Sequence, residues 1–145
     1  MTGAPEFRIQ RLAGDAPPPD WVTRLDRTAF GSPWKAPATH EVLWVLPELA
    51  FARWSRVPAA GEAELLRIAV DPTHQGEGLG RVLLEACQRE LAEEGLVHLF
   101  LEVRVSNAAA IRLYRTCGWK PCGLRPRYYA DGEDAALFQR TGIGR

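Results

Sequence analysis

Hydrophobic and polar residues alternate over several short stretches of the chain, and this pattern predicts a β-sheet. The clearest stretch is residues 97–105, in which every second residue is aliphatic. One side of this predicted strand carries Val97, Leu99, Leu101, Val103 and Val105, and the other carries His98, Phe100, Glu102 and Arg104. Shorter apolar runs predict further strands at residues 7–12, 42–46, 49–56, 65–70, 119–124 and 135–140.

Three segments between the predicted strands have the features of helices. Residues 20–30 follow a proline-rich connector, and Asp20 is a candidate N-cap. Residues 79–94 place apolar side chains on one face and end at a glycine, which suits a helix C-terminus. That face comprises Leu79, Val82, Leu83, Ala86 and Leu91. A third helix starts after Ser106 or Asn107, either of which can cap it, and runs to about Cys117.

This order of elements predicts an α/β (α+β) fold, with a mixed central sheet flanked by helices. The length of 145 residues suits one domain with one hydrophobic core, spanning residues 1–145. We expect residues 141–145 to form a flexible tail.

Composition narrows the function classes. Eighteen basic and eighteen acidic residues cancel, so net charge gives no sign of nucleic-acid binding. No apolar run reaches membrane length, and no secretory signal is apparent. The cysteines, at positions 87, 117 and 122, are odd in number and lack a Cys-x-x-Cys spacing, which predicts reduced thiols in a cytoplasmic protein. The three histidines are far apart, so no metal site is predicted.

A glycine-rich segment, Gln75-Gly76-Glu77-Gly78-Leu79-Gly80, connects the predicted strand 65–70 to the helix 79–94. Glycines allow a tight turn and close approach of a ligand, and a helix N-terminus attracts phosphate. A Walker-type loop is excluded because Arg81-Val82 follows Gly80, and the alternating glycines match a dinucleotide fingerprint poorly. A coenzyme A pyrophosphate loop, Gln/Arg-x-x-Gly-x-Gly/Ala, fits without adjustment. The alternative is that the glycines only pack the helix on the sheet.

This segment belongs to a wider pattern. Residues 67–72 (Arg-Ile-Ala-Val-Asp-Pro) lead into it, and the later segments are 101–104 (Leu-Glu-Val-Arg), 106–111 (Ser-Asn-Ala-Ala-Ala-Ile), Leu113-Tyr114, Gly118-Trp119, Arg127-Tyr128-Tyr129 and Glu133-Asp134-Ala135. Together they resemble the GNAT family of N-acetyltransferases, and within it the bacterial RimI type, which acetylates the N-terminal alanine of a ribosomal protein. The match is dense over residues 65–134 and sparse before them.

The resemblance implies acetyl-CoA as co-substrate and a protein or peptide N-terminus, such as that of a ribosomal protein, as acceptor. It implies Glu102 as general base and Tyr114 as the acid that protonates the leaving sulfur, in a direct attack within a ternary complex. The cofactor-binding residues that it implies are Ile68, Ala69, Val70, Gln75, Gly76, Glu77, Gly78, Leu79, Gly80, Asn107 and Tyr114. It also implies a peptide slot formed by Trp34, Tyr128 and Tyr129, in a monomer or weak dimer.

Each assignment has a structural alternative. Glu102 could be an outward-facing acid paired with Arg104, two residues along the same strand face. Tyr114 could be an aromatic residue of the core. Asn107 could serve as a helix N-cap, with or without a role in binding the cofactor.

The identity of the acceptor is open. A peptide α-amine has a pKa of about 7.7–8.0 and lysine one of about 10.4, so neutralising them near pH 7.5 costs under 1 and roughly 4 kcal/mol respectively. One carboxylate therefore suffices more easily for an α-amine. However, Lys35 replaces the serine usual in the family, and residues 36–39 are too short for its second helix. A small-molecule amine, a lysine, or a non-catalytic coenzyme A-binding module are the rival interpretations.

Overall fold

A computed structural model of the chain describes residues 8–12, 16–31 and 40–142. The strands are β1 (Gln10–Leu12), β2 (Glu41–Leu46), β3 (Ala50–Val57), β4 (Glu62–Val70), β5 (His98–Arg104), β6 (Lys120–Arg125) and β7 (Ala135–Thr141). They form one seven-stranded sheet in the order β1-β2-β3-β4-β5-β7-β6. All neighbouring strands are antiparallel except β4 and β5, which are parallel. The predicted mixed sheet is therefore confirmed.

Helices cover both faces of the sheet. They are α1 (Asp20–Phe30), α2 (Leu79–Glu93) and α3 (Ala108–Thr116). Val22 and Leu25 of α1 pack on one face, against residues such as Phe51 and Ala69. Helices α2 and α3 bury their apolar side chains on the opposite face, in the larger core cluster. Helix α2 also makes the crossover that two parallel neighbours require.

A β-bulge divides β4 into two halves. Arg53 of β3 pairs with Arg67, whereas the next residue, Trp54, pairs with Leu65, so Leu66 has no partner opposite it. The bulge shifts the alternation by one residue. Leu65 before it and Ile68 after it therefore both pack into the core under α2 and α3. A bulge also bends its strand, which affects how β4 lies beside β5.

Strands β4 and β5 pair over only part of their lengths. Their ladder runs from Glu62 opposite His98 to Leu65 opposite Leu101, and it stops where the bulge begins. Beyond that point β4 continues to Val70 and β5 continues to Arg104. We call the gap between residues 66–70 and residues 102–104 the β4–β5 cleft. Along it, the backbone edge of β4 that faces β5 has no ladder partner.

The predicted elements all occur, with several corrections. Asp20 is the first residue of α1 and not its cap, because Pro19 holds the N-cap position and no side chain caps this helix. The sequence pattern places Val82 on the buried face of α2. In the structure Val82 is exposed, and Leu84 is buried. Strand β4 begins at Glu62, three residues earlier than predicted. Thr141, expected in the tail, is the last residue of β7.

Other expectations fall partly outside the described residues. These include the start of the first strand at residue 7, the segment around Lys35, and residues 143–145 of the expected tail. Among the helices of the described residues, none has both the length and the hydropathy needed to cross a membrane.

Candidate active site

The glycine-rich segment forms a tight turn between β4 and α2. Gly76 and Gly78 have φ angles of 84° and 79°, a left-handed conformation that residues with a Cβ adopt at a cost. Gly78 is the N-cap of α2, and no side chain hydrogen-bonds to the start of this helix. The first backbone N–H groups of a helix have no acceptor within it, and they carry partial positive charge. The turn therefore presents donors suited to a phosphate group.

Gly80 has a different role from the other two glycines. A Cβ built at this position would lie 3.4 Å from Leu113 Cδ2 and 3.7 Å from Val70 Cγ2. Both distances are ordinary van der Waals contacts, so the packing of α2 against α3 and the end of β4 does not require a glycine at position 80. Gly76 and Gly78 differ, because their left-handed backbone favours glycine.

Two polar side chains of this region are engaged with the protein itself. The Gln75 side-chain amide donates to the Val70 carbonyl oxygen over 3.3 Å, which ties the turn to the end of β4. Arg81 forms an ion pair with Glu85, one helical turn along, at 3.5 Å on the surface. Backbone groups are therefore the main donors that the turn offers to a ligand.

Asn107 caps α3. Its Oδ1 accepts a hydrogen bond from the Ala110 backbone N–H over 3.1 Å. The predicted cap is therefore Asn107 and not Ser106. The side chain of Asn107 is exposed, so the cap does not prevent it from contacting a ligand as well.

Two groups, one from β6 and one from the loop after it, bind the Glu102 carboxylate. Its Oε2 pairs with Arg125 Nε at 2.6 Å, and its Oε1 accepts a hydrogen bond from the Tyr128 hydroxyl over 3.0 Å. The alternative pairing with Arg104 is wrong. Arg104 binds Asp131 and Glu133 instead, at 2.8 and 2.9 Å. Glu102 thus faces the loop between β6 and β7, as a site residue would.

The loop that carries the paired tyrosines is fastened to the end of β5. Arg104 makes the two ion pairs described above, and the Ser106 backbone N–H donates to Glu133 Oε2 over 2.9 Å. Hydrogen bonds from Ser106, and then from Arg104, lower the pKa of Glu133. The Arg104 guanidinium also lies 4.1 Å from the ring centre of Tyr129. These contacts hold Tyr128 and Tyr129 beside Glu102.

Tyr114 is buried in α3 against the rings of Trp119 and Phe138, with centroids 6.0 and 6.4 Å away. The ring of Tyr114 is therefore part of the hydrophobic core, as the structural alternative states. Burial, and then the nearby Tyr129, raise the pKa of Tyr114 far above its ordinary value, so the phenol stays protonated at neutral pH. Its hydroxyl has no hydrogen-bond partner among the described residues, which leaves this proton donor available to a ligand.

Burial, and then the charge of Glu102, raise the pKa of Tyr129. The rings of Tyr128 and Tyr129 meet edge to face at 5.1 Å. Tyr129 thus packs against Tyr128, whose hydroxyl hydrogen-bonds to Glu102.

A pocket of about 510 Å³ opens beside Glu102 and Tyr128. Its lining includes Glu64, Phe100, Glu102, Arg125 and Tyr128. It brings together the predicted base and one of the predicted peptide-slot tyrosines, whereas Tyr114 and the glycine turn lie outside its lining. Trp34, the third residue predicted for the slot, lies outside the described residues. No cluster of three or more potential metal ligands occurs within residues 8–12, 16–31 and 40–142.

Glu64 is a pocket residue that the sequence analysis missed. Burial, and then the charge of Glu102, raise the pKa of Glu64 above its ordinary value, while Arg125 acts in the opposite direction. The signal was available, because Glu64 alternates with Ala63 and Leu65 as a strand residue does. The apolar run alone predicts a strand that starts at Leu65, which excludes Glu64.

Comparison with known proteins identifies relatives over most of the chain. The family model described as Acetyltransferase (GNAT) family matches residues 8–119. The [ribosomal protein bS18]-alanine N-acetyltransferase of Escherichia coli K12 is 50% identical over 84 residues, which are 57% of this chain and 57% of that protein. This match thus spans little more than half of the relative's length.

Two further comparisons cover nearly the whole chain. The N-alpha-acetyltransferase RimI of Mycobacterium tuberculosis is 36% identical over 141 residues, covering 93% of this chain and 82% of that one. The crystal structure of the Escherichia coli ribosomal-protein-S18-alanine N-acetyltransferase superposes with a TM-score of 0.75 and 31% identity, covering 95% of this chain and 96% of that one.

Proposed function

The chain belongs to the GNAT acetyltransferase family, and on that premise we propose that it transfers the acetyl group of acetyl-CoA to the α-amine of a protein N-terminus. The observation that carries this proposal is the open backbone edge of β4. It leads from the pocket around Glu102 to the glycine turn, so that one extended ligand can reach both.

The first part of the proposal concerns acetyl-CoA. Its pantetheine amides would pair with the free edge of β4 at Ile68, Ala69 and Val70, as an added strand does. Its diphosphate would accept hydrogen bonds from backbone N–H groups of residues 76–80, at the start of α2. Gln75 and Asn107 are the remaining predicted cofactor contacts. The Gln75 side chain holds the turn against the end of β4 through its hydrogen bond to Val70. Asn107 lies at the start of α3.

The second part concerns the reaction. A neutral amine attacks the thioester carbonyl carbon, so that a C–N bond forms and the C–S bond breaks. Glu102 takes a proton from the attacking nitrogen, and Tyr114 donates its phenolic proton to the leaving sulfur. The raised pKa of Tyr114 suits this role, because the phenol is fully protonated at the pH of the reaction. A backbone N–H of β4 would stabilise the developing oxyanion.

The third part concerns the acceptor. One relative is named for acetylation of the alanine of ribosomal protein bS18, and another for N-alpha acetylation. We propose a similar acceptor here, an N-terminal alanine or another small residue, with Tyr128 and Tyr129 holding the first residues of the peptide. Trp34, which lies outside the described residues, is a further predicted contact. A ribosomal protein as acceptor would place the reaction in the cytoplasm.

The test is release of free coenzyme A from acetyl-CoA in the presence of defined acceptors. These are peptides that begin with Ala, Ser or Met, a blocked peptide whose only amine is lysine, and a polyamine, with mass spectrometry to locate the acetyl group. Selective α-amine acetylation of the Ala peptide is the expected result. Turnover of the polyamine or lysine alone would move the function to those acceptors, and acetyl-CoA binding without turnover would leave a binding module.

A further inference from the structure

The guanidinium group of Arg125 is only partly used by its ion pair with Glu102. Its Nε lies 2.6 Å from Glu102 Oε2, and more than half of the side chain is exposed. Within the described part of the chain, its other contact is with the Tyr128 ring, whose centre lies 5.9 Å away. The Nη groups carry most of the N–H donors of an arginine, and they remain available to a ligand in the pocket that Arg125 lines.

Donors of this kind are scarce in the pocket. The carboxylates of Glu62, Glu64 and Glu102 also line it, and an ionised carboxylate can only accept hydrogen bonds. The Tyr128 hydroxyl already donates to Glu102. Arg125 is therefore the side chain of this lining that offers unused, positively charged donors beside the predicted base.

The chemistry of the acceptor gives these donors a partner. A peptide α-amine has a carbonyl group on the neighbouring carbon, and standard bond lengths place that oxygen roughly 3 Å from the amine nitrogen. The amine of a lysine side chain is separated from the backbone by a four-carbon stem, and a polyamine has no carbonyl at all. A contact with this oxygen would therefore select α-amines from other amines.

The position of Arg125 suits such a contact. An amine that gives its proton to Glu102 lies within about 3 Å of the carboxylate, and the guanidinium group lies beside the same carboxylate. The first carbonyl oxygen of a peptide is then within reach of the Nη groups. We propose that Arg125 determines specificity for α-amines by donating a hydrogen bond from Nη to the first carbonyl of the acceptor; this inference rests on the acetyltransferase activity proposed above.

The shape and the charge of arginine both favour this role. Its donors lie in one rigid plane, so Nε on Glu102 and Nη on the carbonyl fix the base and the acceptor relative to each other. The acids of the pocket outnumber Arg125, which is the arginine of its lining. A cationic amine can therefore approach although a guanidinium group is present.

The test measures kcat/KM of the wild type and Arg125→Gln for two acceptors. One is the Ala peptide, and the other is the same peptide with its first peptide bond replaced by a trans alkene, which keeps the amine and the shape but has no carbonyl. Each acceptor is compared only with itself, so a difference between the pKa values of the two amines cancels. We expect a loss of about 30-fold for the Ala peptide and about threefold for the alkene analogue.

Two further variants separate the charge of Arg125 from its shape. Arg125→Lys keeps a positive charge beside Glu102 but lacks the planar group, so we expect about a tenfold loss for the Ala peptide and less than about twofold for the analogue. Arg127→Gln removes an exposed arginine two residues along the chain, outside the lining of the pocket. This control should keep kcat/KM within about twofold of the wild type for both acceptors.

The possible failures are distinguishable. Equal losses for the two acceptors in Arg125→Gln would overturn the contact with the carbonyl and leave Arg125 as a partner of Glu102, while the acetyltransferase activity stands. The same preferential loss in Arg127→Gln would also overturn it. A wild type that acetylates no peptide would overturn the proposed function and this inference with it. Affinity for acetyl-CoA, measured by calorimetry, shows that each variant is folded, and we expect it to stay within about twofold.

Discussion

The Tyr128 hydroxyl donates a hydrogen bond to Glu102 Oε1 over 3.0 Å, which joins the loop before β7 to the centre of β5. The same bond raises the pKa of Tyr128, since a phenolate could not donate it. Half of the Tyr128 surface remains exposed, so the side chain can contact an acceptor while it orients the carboxylate. The loop and Glu102 thus contribute to the same pocket.

Replacing Tyr128 with Phe keeps the ring and removes this hydrogen bond. A hydrogen bond to a charged group contributes about 1.5–3 kcal/mol, and exposure reduces that value here. We expect kcat/KM for the Ala peptide to fall about tenfold, with the acetyl-CoA affinity unchanged. Steady-state kinetics check this, and Tyr129→Phe is the matched control because no hydrogen bond joins its hydroxyl to Glu102. Wild-type kcat/KM in Tyr128→Phe would show that Glu102 is positioned by Arg125 alone.

Replacing Tyr114 with Phe removes the proposed acid from a position that is otherwise apolar. Its ring contacts with Trp119 and Phe138 survive, so we expect little change in the free energy of unfolding. Turnover should fall by at least about 100-fold, which is typical for loss of a general acid. Rapid-quench kinetics of the transfer step, together with acetyl-CoA titration, check this. Wild-type turnover in Tyr114→Phe would assign this residue to packing only.

The glycine turn offers a matched pair of alanine substitutions. Gly78 has a φ of 79° with nothing near its missing Cβ, so Gly78→Ala costs about 1–2 kcal/mol through backbone strain alone. Gly80 is helical, and the new Cβ would make an ordinary contact with Leu113 at 3.4 Å. Gly80→Ala also gains up to about 1 kcal/mol of helix propensity, so its stability should match or exceed that of the wild type. Urea unfolding compares the two, and equal losses in both would contradict this division of roles.

Much of the fold could be predicted because local patterns specify it. Strand β5 alternates strictly, and Asn107 and the glycines mark the starts of α3 and α2 without help from tertiary contacts. Glu102 and Tyr114 each stand in a short motif, but only the resemblance of those motifs to the GNAT family assigns them a role, because the local pattern alone favours the structural alternatives.

The remaining features depend on contacts between distant segments. Glu102 forms an ion pair with Arg125 of β6. This contact depends on the strand order β5-β7-β6, in which β7 lies next to β5 although β6 precedes it in the sequence. The bulge at Leu66 is set by pairing with β3, and nothing in the local sequence indicates it. The apolar pattern predicts the start of β4 at Leu65, and it is the pairing with β3 and β5 that extends the strand to Glu62 and brings Glu64 into the pocket.

The ion pairs of Arg104 predict a pH dependence of stability. The Glu133 backbone N–H, and then Arg104, lower the pKa of Asp131, while Ser106, and then Arg104, lower the pKa of Glu133. Carboxylates of this kind stabilise the folded state above their unfolded pKa values, and the effect disappears as the pH falls through the folded values. Arg104→Gln should therefore be less stable than the wild type at pH 7, and the difference should shrink from about pH 4.5 downwards.

Urea unfolding at several pH values measures this difference directly. Arg112→Gln, which removes an exposed arginine from α3, is the control and should differ from the wild type by a small amount. A difference between Arg104→Gln and the wild type that stays constant down to pH 3 would show that the loop is held by other contacts.

A substitution at Cys122 distinguishes direct transfer from a route through an acetylated enzyme. It is the exposed cysteine of the chain and it lines the pocket beside Glu102, so it is the thiol that could attack the thioester. Cys87 and Cys117 cannot do so readily, because both are buried and burial raises their pKa values to about 12 and about 11. Direct attack by the amine needs no thiol at all.

We therefore expect Cys122→Ser to keep kcat within about twofold of the wild type. We also expect mass spectrometry to detect no acetylated protein when acetyl-CoA is present without acceptor. Loss of turnover in Cys122→Ser, together with an acetyl group on Cys122 of the wild type, would establish the two-step route and assign Glu102 to activation of the thiol.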